Sequence, residues 1–234
     1  MTHPRIPRLK PFSAVLLTAI PLTAAQVALV PVAFGQNAEK GASSNEASGD
    51  TVIVGQLTLD LGKGVSMKLV LIPACKFMMG NHDSPAETVK KVGGLERNLV
   101  DEYPAHEVTI SKPFYMGIYE VTQAQWKAVM GTEPWKAERA LGYMRLQPRP
   151  QGFDDYPVVW VSSYDAIEFC RKLPNKTGMT VSLPTEAQWE YACRAGSTTA
   201  FSFGDKLSKL NDHGWYGGRR RDPKGDYGHR VGQK

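Results

Sequence analysis

Apolar residues alternate imperfectly from Thr51 to Leu61, at Val52, Val54, Leu57, Leu59 and Leu61, a period of two that predicts a strand at a domain edge. Met67 to Met79 (MKLVLIPACKFMM) is apolar and closes at Gly80, which reads as a buried strand kinked at Pro73. Asn81 to Glu102 is polar and Gly-containing and reads as a loop. Glu107 to Ile110 and Phe114 to Tyr119 read as two further strands.

The helical period enters at Thr122. Thr122 and Gln125 form a capping box, Val129 and Met130 follow Trp126 on a buried face, and Gly131 supplies the stop. Thr132 to Asp155 is irregular, with Pro134, Pro148, Pro150 and Gly152. Pro157 to Val161 predicts a short strand. Ser162 caps a second helix with Asp165 in the capping-box place, Ile167, Cys170 and Leu173 on one face, and a break at Pro174. Pro184 then ends a strand, Thr185 and Gln188 open a third helix, and Gly196 offers a left-handed stop. Beyond Gly204 the chain is polar and Gly-rich to Lys234, with no internal repeat or heptad. Short strands and three short helices among long loops predict a compact α+β domain.

The N-terminus changes the picture. Arg5, Arg8 and Lys10 precede an uncharged apolar stretch from Phe12 to Val32, and Ala33-Phe34-Gly35 offers small residues for cleavage. Residues 1–35 therefore read as a secretory signal peptide, or as an uncleaved N-terminal anchor. Pro21 and Pro31 argue against a regular membrane helix. Either reading predicts an extracytoplasmic domain, periplasmic or secreted. Residues 36–50, rich in Ser, Ala, Gly, Asn and Glu, form a flexible linker, and residues 51–234 the domain. Removing the three N-terminal cations from the formal net charge of +5 leaves +2, so the charge offers no case for nucleic acid. The three cysteines, Cys75, Cys170 and Cys193, are an odd number, which in an exported protein leaves a free thiol or partners outside this chain.

Six segments together carry a family resemblance. They are Met67 to Ala74 with Phe77 to Gly80, Pro104 to Val108, Tyr119 to Thr122, Pro157 to Ser162, the run L-P-T-E-A-Q-W-E-Y-A from Leu183 to Ala192, and Val231 to Lys234. Arg194-Ala195-Gly196 and Phe201 to Gly204 extend the fifth. In this order they closely resemble the formylglycine-generating enzyme family, also called sulfatase-modifying factors. The resemblance implies the family's variant of the C-type lectin-like fold, incomplete at the C-terminus, with little regular secondary structure. It also implies the family activity, oxidation of a sulfatase cysteine to formylglycine with molecular oxygen and a copper ion held by two cysteines. Soft thiolates suit Cu(I).

In the family that cysteine pair follows G-N-V-W-E-W-like and R-G-G-S-W-like segments, neither of which occurs in these 234 residues. No catalytic or copper-binding residue is therefore assigned. Cys170 and Cys193 match positions where some members carry structural cysteines. Both also lie on helix faces where a thiol packs as a small hydrophobe. Cys75 stands where the family usually has Gly, and Ser163 where it usually has Trp. By the same resemblance Asn211 and Asp226 are candidate calcium ligands, with turn-forming surface residues as the alternative. Glu186 is accounted for by the helix N-terminus and Glu190 by a hydrogen bond into the core, rather than by acid–base catalysis. His106 reads as a structural histidine, and Arg219-Arg220-Arg221 as a solvated turn rather than an anion grip.

The expected function is that of an exported formylglycine-generating-enzyme-like protein, with a sulfatase-type polypeptide as partner if active, whose 234 residues lack the catalytic cysteines. The alternatives are a non-catalytic lectin-like binding module and a non-functional truncated remnant.

Overall fold

A computed structural model describes residues 55–136, 154–174, 180–215 and 229–234, together with the backbone pairing of Val30–Pro31. The described strands are β1 (Val30–Pro31), β2 (Gln56–Gly62), β3 (Val65–Ile72), β4 (Cys75–Met79), β5 (His106–Ile110), β6 (Phe114–Gly117) and β7 (Val181–Ser182). The described helices are α1 (Pro85–Val92), α2 (Gln123–Met130), α3 (Ser163–Lys172), α4 (Glu186–Arg194) and the single turn α5 (Leu210–His213).

β3 organises the molecule. It pairs antiparallel with β2 on one side and β6 on the other, making a sheet of order β2-β3-β6. The β2–β3 hairpin turns on Lys63 and Gly64, both with positive φ, and the Asp60 carboxylate accepts the Gly62 amide at 2.8 Å. Strand side chains alternate between faces, so Met67 and Leu69 point one way and Val70 and Ile72 the other. Both sets are buried. The first joins Leu59, Leu61, Val121, Trp126, Val158, Phe169, Cys170 and Leu173, beneath α2 and α3. The second joins Ile110, Phe114, Met116, Tyr191 and Ala192, beneath α4 and the β4–β5 ribbon. Trp126 and Phe169 stack across the first cluster, ring centroids 5.3 Å apart.

The capping boxes at Thr122/Gln125, Ser162/Asp165 and Thr185/Gln188 all form as the sequence predicts, and α2 stops at a left-handed Gly131. At the end of α4, Ala195 takes the left-handed conformation ahead of Gly196, which also has positive φ.

Four expectations need correction. Met67 to Met79 is not one kinked strand. Pro73, which cannot donate to a ladder, separates β3 from β4, and the two strands belong to different sheets. Residues 81–102 are not all loop. They hold α1, opened by a Ser84/Glu87 capping box with Pro85 in the first turn, and two 3-10 turns. Pro157 to Val161 makes no strand, only an isolated bridge from Pro157 to Thr122, because Trp160 takes φ +62°. The buried face of α3 is Ala166, Phe169, Cys170 and Leu173, the i, i+3, i+4, i+7 stripe, and Ile167 is turned outward.

Candidate functional site

Helix α4 carries the densest side-chain chemistry among the described residues. Thr185 sets its start: the hydroxyl accepts the Gln188 amide at 3.2 Å, and the Gln188 side chain accepts the Thr185 amide at 2.9 Å. This fixed start aims Glu190 and Arg194, one turn apart on the same face, at the end of β4. Glu190 Oε1 accepts the Gly80 amide at 2.8 Å and Arg194 Nε at 2.8 Å. Arg194 Nη2 donates to the Gly80 carbonyl at 2.6 Å and lies 2.7 Å from Glu190 Oε1. Both polar groups of Gly80 are thus gripped by one ion pair.

Gly80 is required where it stands. Its φ is +90°, and a Cβ there would fall 2.5 Å from the Glu102 carbonyl oxygen. That carbonyl accepts the Asn81 amide at 2.6 Å, and Asn81 in turn accepts the Ala105 amide at 3.0 Å. The half-buried Glu102 carboxyl is pushed above its ordinary range, first by burial and then by the Glu190 charge, with Arg194 opposing. The junction joins β4, the 81–105 segment and α4. With charge-assisted donors occupying Glu190 Oε1, this carboxylate is a clamp, in agreement with its expected hydrogen bond into the core.

Glu186 is exposed in the first turn of α4, where the helix dipole favours an acid. His106 is exposed at the start of β5, its Nδ1 3.4 Å from the Pro104 carbonyl.

The three cysteines are free thiols. Cys170 is buried in the first cluster, and desolvation pushes it up to about 12. Cys193 is half-buried on α4. Burial, the leading cause, pushes it up to about 11 against the Arg194 charge. Cys75 opens β4, its thiol directed at the Lys76 carbonyl at 3.2 Å.

Asn211 is exposed on α5, and its carbonyl accepts the Lys234 ammonium, which also sits 3.9 Å over the Trp215 ring. Asp226 and Arg219 to Arg221 lie outside the described residues. Among the described residues no group of three or more His, Cys, Asp or Glu is placed to hold a metal. A Cu(I) site needs a pair of thiolates, and the three thiols lie on separate elements, Cys75 on β4, Cys170 in the core on α3 and Cys193 on α4.

Three features escaped sequence reasoning: the grip of Arg194 on Gly80, the place of Glu102 beside it, and the packing of Cys75 against the cluster that holds Tyr191. The i, i+4 spacing of Glu190 and Arg194 was the available signal for the first. The other two join residues far apart in the chain.

The sulfatase-modifying factor enzyme 1-like domain matches residues 63–227. The formylglycine-generating enzyme of Bos taurus is 29% identical over 185 residues, covering 62% of this chain and 45% of the relative. A Bos taurus protein named inactive C-alpha-formylglycine-generating enzyme 2 is 27% identical over 207 residues, covering 72% and 62%. Among solved structures, Treponema denticola variable protein 1 superposes with a TM-score of 0.50 at 22% identity, covering 70% of this chain and 65% of that one, which is a likeness of fold. The chain spans about half the length of the formylglycine-generating enzymes it matches, 45% and 53% for those of Bos taurus and Mus musculus.

Proposed function

Because the chain belongs to the family of the sulfatase-modifying factor enzyme 1-like domain, we propose that it forms the cysteine-poor part of a formylglycine-generating-type scaffold. In this reading the oxidation of a sulfatase cysteine by copper and oxygen requires a thiol pair that these 234 residues do not supply. The placement of the thiols supports it. Cys170 is sealed in the core on α3, Cys193 is half-buried on α4, and Cys75 opens strand β4, so the three thiols lie on separate elements. The scaffold around them is built: the signature helix is capped and its Glu190–Arg194 pair grips Gly80.

The test is to give the 234-residue protein Cu(I), oxygen and a sulfatase-type cysteine peptide, and to follow thiol-to-aldehyde conversion by mass spectrometry. No conversion is expected, while a fusion to the paired-cysteine part of an active relative converts the peptide. Conversion by the 234 residues alone would refute the proposal.

A second reading is a non-catalytic binding module, favoured by similarity to a relative that is itself named inactive. It expects the chain to bind the peptide without converting it, and the fusion to remain silent. Export through residues 1–35 belongs to the same proposal, and a reporter active only outside the cytoplasm, fused after residue 50, tests it. Calcium binding at Asn211 and Asp226 is proposed on the family resemblance alone. A calcium titration read by thermal shift, with Asn211→Ala abolishing the shift, is its check.

A further inference from the structure

Val30 and Pro31 stand near the end of the uncharged apolar stretch that runs from Phe12 to Val32, yet they pair with the domain. β1 runs antiparallel to β7, with Val30 opposite Ser182 and Pro31 opposite Val181. Pro31 has no amide to donate, so the hydrogen-bonded pair of this short ladder is Val30 with Ser182. β7 itself is held by the core. Val181 and Leu183 pack against the first cluster, and α3 lies against the strand, while Ser182 is exposed. β1 also approaches β6, the edge strand of the β2-β3-β6 sheet. Among the described residues β7 has no other strand partner. A strand edge left bare presents unpaired amides and carbonyls that can take up another extended chain.

We propose that β7 is a docking edge whose occupant is this chain's own Val30–Pro31 segment, and that loss of the N-terminal segment opens the edge. Three features favour this occupant. The segment is paired there in a defined register. Its proline lies on an edge strand, where a missing amide is tolerated. Residues 32–55 tether β1 to β2, so the segment is offered to β7 at an effective concentration on the order of 1 mM. An affinity too weak to hold a separate peptide at micromolar concentration is then enough to keep the edge covered. Any other extended polypeptide has to compete with this tethered one. It gains access when the chain is cut after Ala33-Phe34-Gly35 and residues 30–31 are released. Copper chemistry plays no part in the pairing, which forms whether or not the chain is exported.

The experiment uses the full 234-residue protein carrying a site for a specific protease within residues 36–50. Hydrogen exchange at Ser182 is read by mass spectrometry before the cut, and again after the cut once the N-terminal piece has been washed away. The Ser182 amide is expected to exchange at least about tenfold faster after release, with β3 unchanged. In the uncut protein, Val30→Cys with Ser182→Cys is oxidised and the disulfide is located by peptide mass spectrometry. Residues opposite each other in an antiparallel ladder lie within disulfide reach, whereas successive residues of a strand face opposite sides. The disulfide should therefore form at least about tenfold more than in the off-register pair, Val30→Cys with Val181→Cys. A piece that stays bound through the wash, with the in-register disulfide formed, supports the docking directly. Exchange at Ser182 that is unchanged after release, or equal cross-linking of the two cysteine pairs, would overturn the assignment. So would exchange that rises equally in β3, which would make β1 a part of the core rather than the occupant of an edge.

Discussion

Glu190 and Arg194 show how one turn of helix secures a distant glycine. Glu190→Ala leaves the Gly80 amide without its acceptor and Arg194 without its counter-charge, in a part of the structure largely closed to water. The expected loss is about 2–3 kcal/mol, read as a lower midpoint in urea at unchanged slope. Gly80→Ala acts on the same junction by a different route, forcing a Cβ to 2.5 Å from the Glu102 carbonyl at φ +90°. A loss of at least about 2 kcal/mol follows, and a parental midpoint would show that the turn can relax. Glu102 gives the junction a pH dependence. Its folded carboxyl is raised above the ordinary range, chiefly by burial. The stability it contributes is therefore fully present below the usual glutamate range and is lost as pH rises through the folded value. Glu102→Gln stays neutral throughout. It should be more stable than the parent at neutral pH, with the difference shrinking on acidification, as thermal melts from pH 7 to pH 4 will show.

At the scale of elements, helices begin where a hydroxyl and a carboxylate or amide three residues on can satisfy each other's backbone. This occurs at Ser84/Glu87, Thr122/Gln125, Ser162/Asp165 and Thr185/Gln188. Thr185→Ala should cost about 1 kcal/mol in the urea midpoint, and Ser162→Ala a similar amount. The two differ in acid. The Asp165 carboxyl is lowered by its bonds to the Ser162 hydroxyl and amide, so its contribution is present above the usual aspartate range and fades as pH falls through the lowered value. The cap at Thr185 relies on neutral Gln188 and has no such dependence. The Ser162→Ala deficit should therefore shrink as pH is taken below the usual aspartate range while that of Thr185→Ala persists; equal behaviour would sink the distinction. All four boxes are written in adjacent residues. The one missed in the sequence, at Ser84, lies in a segment whose polar composition masked its Ser-Pro-x-Glu start.

For the whole molecule, β3 is the shared wall of two cores, Met67 and Leu69 facing one and Val70 and Ile72 the other. Loss of either core removes support from the other. Cys170 in the first cluster and Cys193 on α4 should therefore gain alkylation reactivity over the same range of urea, since both report on one cooperative unit. Two separate ranges would mean that the cores open independently. Phe169→Ala removes a ring that is fully buried and stacked on Trp126, and should cost about 3–5 kcal/mol and shift both thiols together. What the sequence by itself determined was local or recurrent: the α+β class, the helices with their caps, the strands of even alternation and the six ordered segments of the family. A cap needs only three residues of separation, and a buried face only a period. Tertiary structure alone decided that Pro73 sends β4 into a second sheet, that Trp160 turns its segment away from a strand, and that Ile167 faces outward while Phe169 faces in. It also decided that Gly80 meets Glu102 and Arg194, and that Cys75 packs against the cluster that holds Tyr191. The Gly80 contacts join residues 22 and 114 positions apart, and no local rule specifies which distant atom will fill a turn.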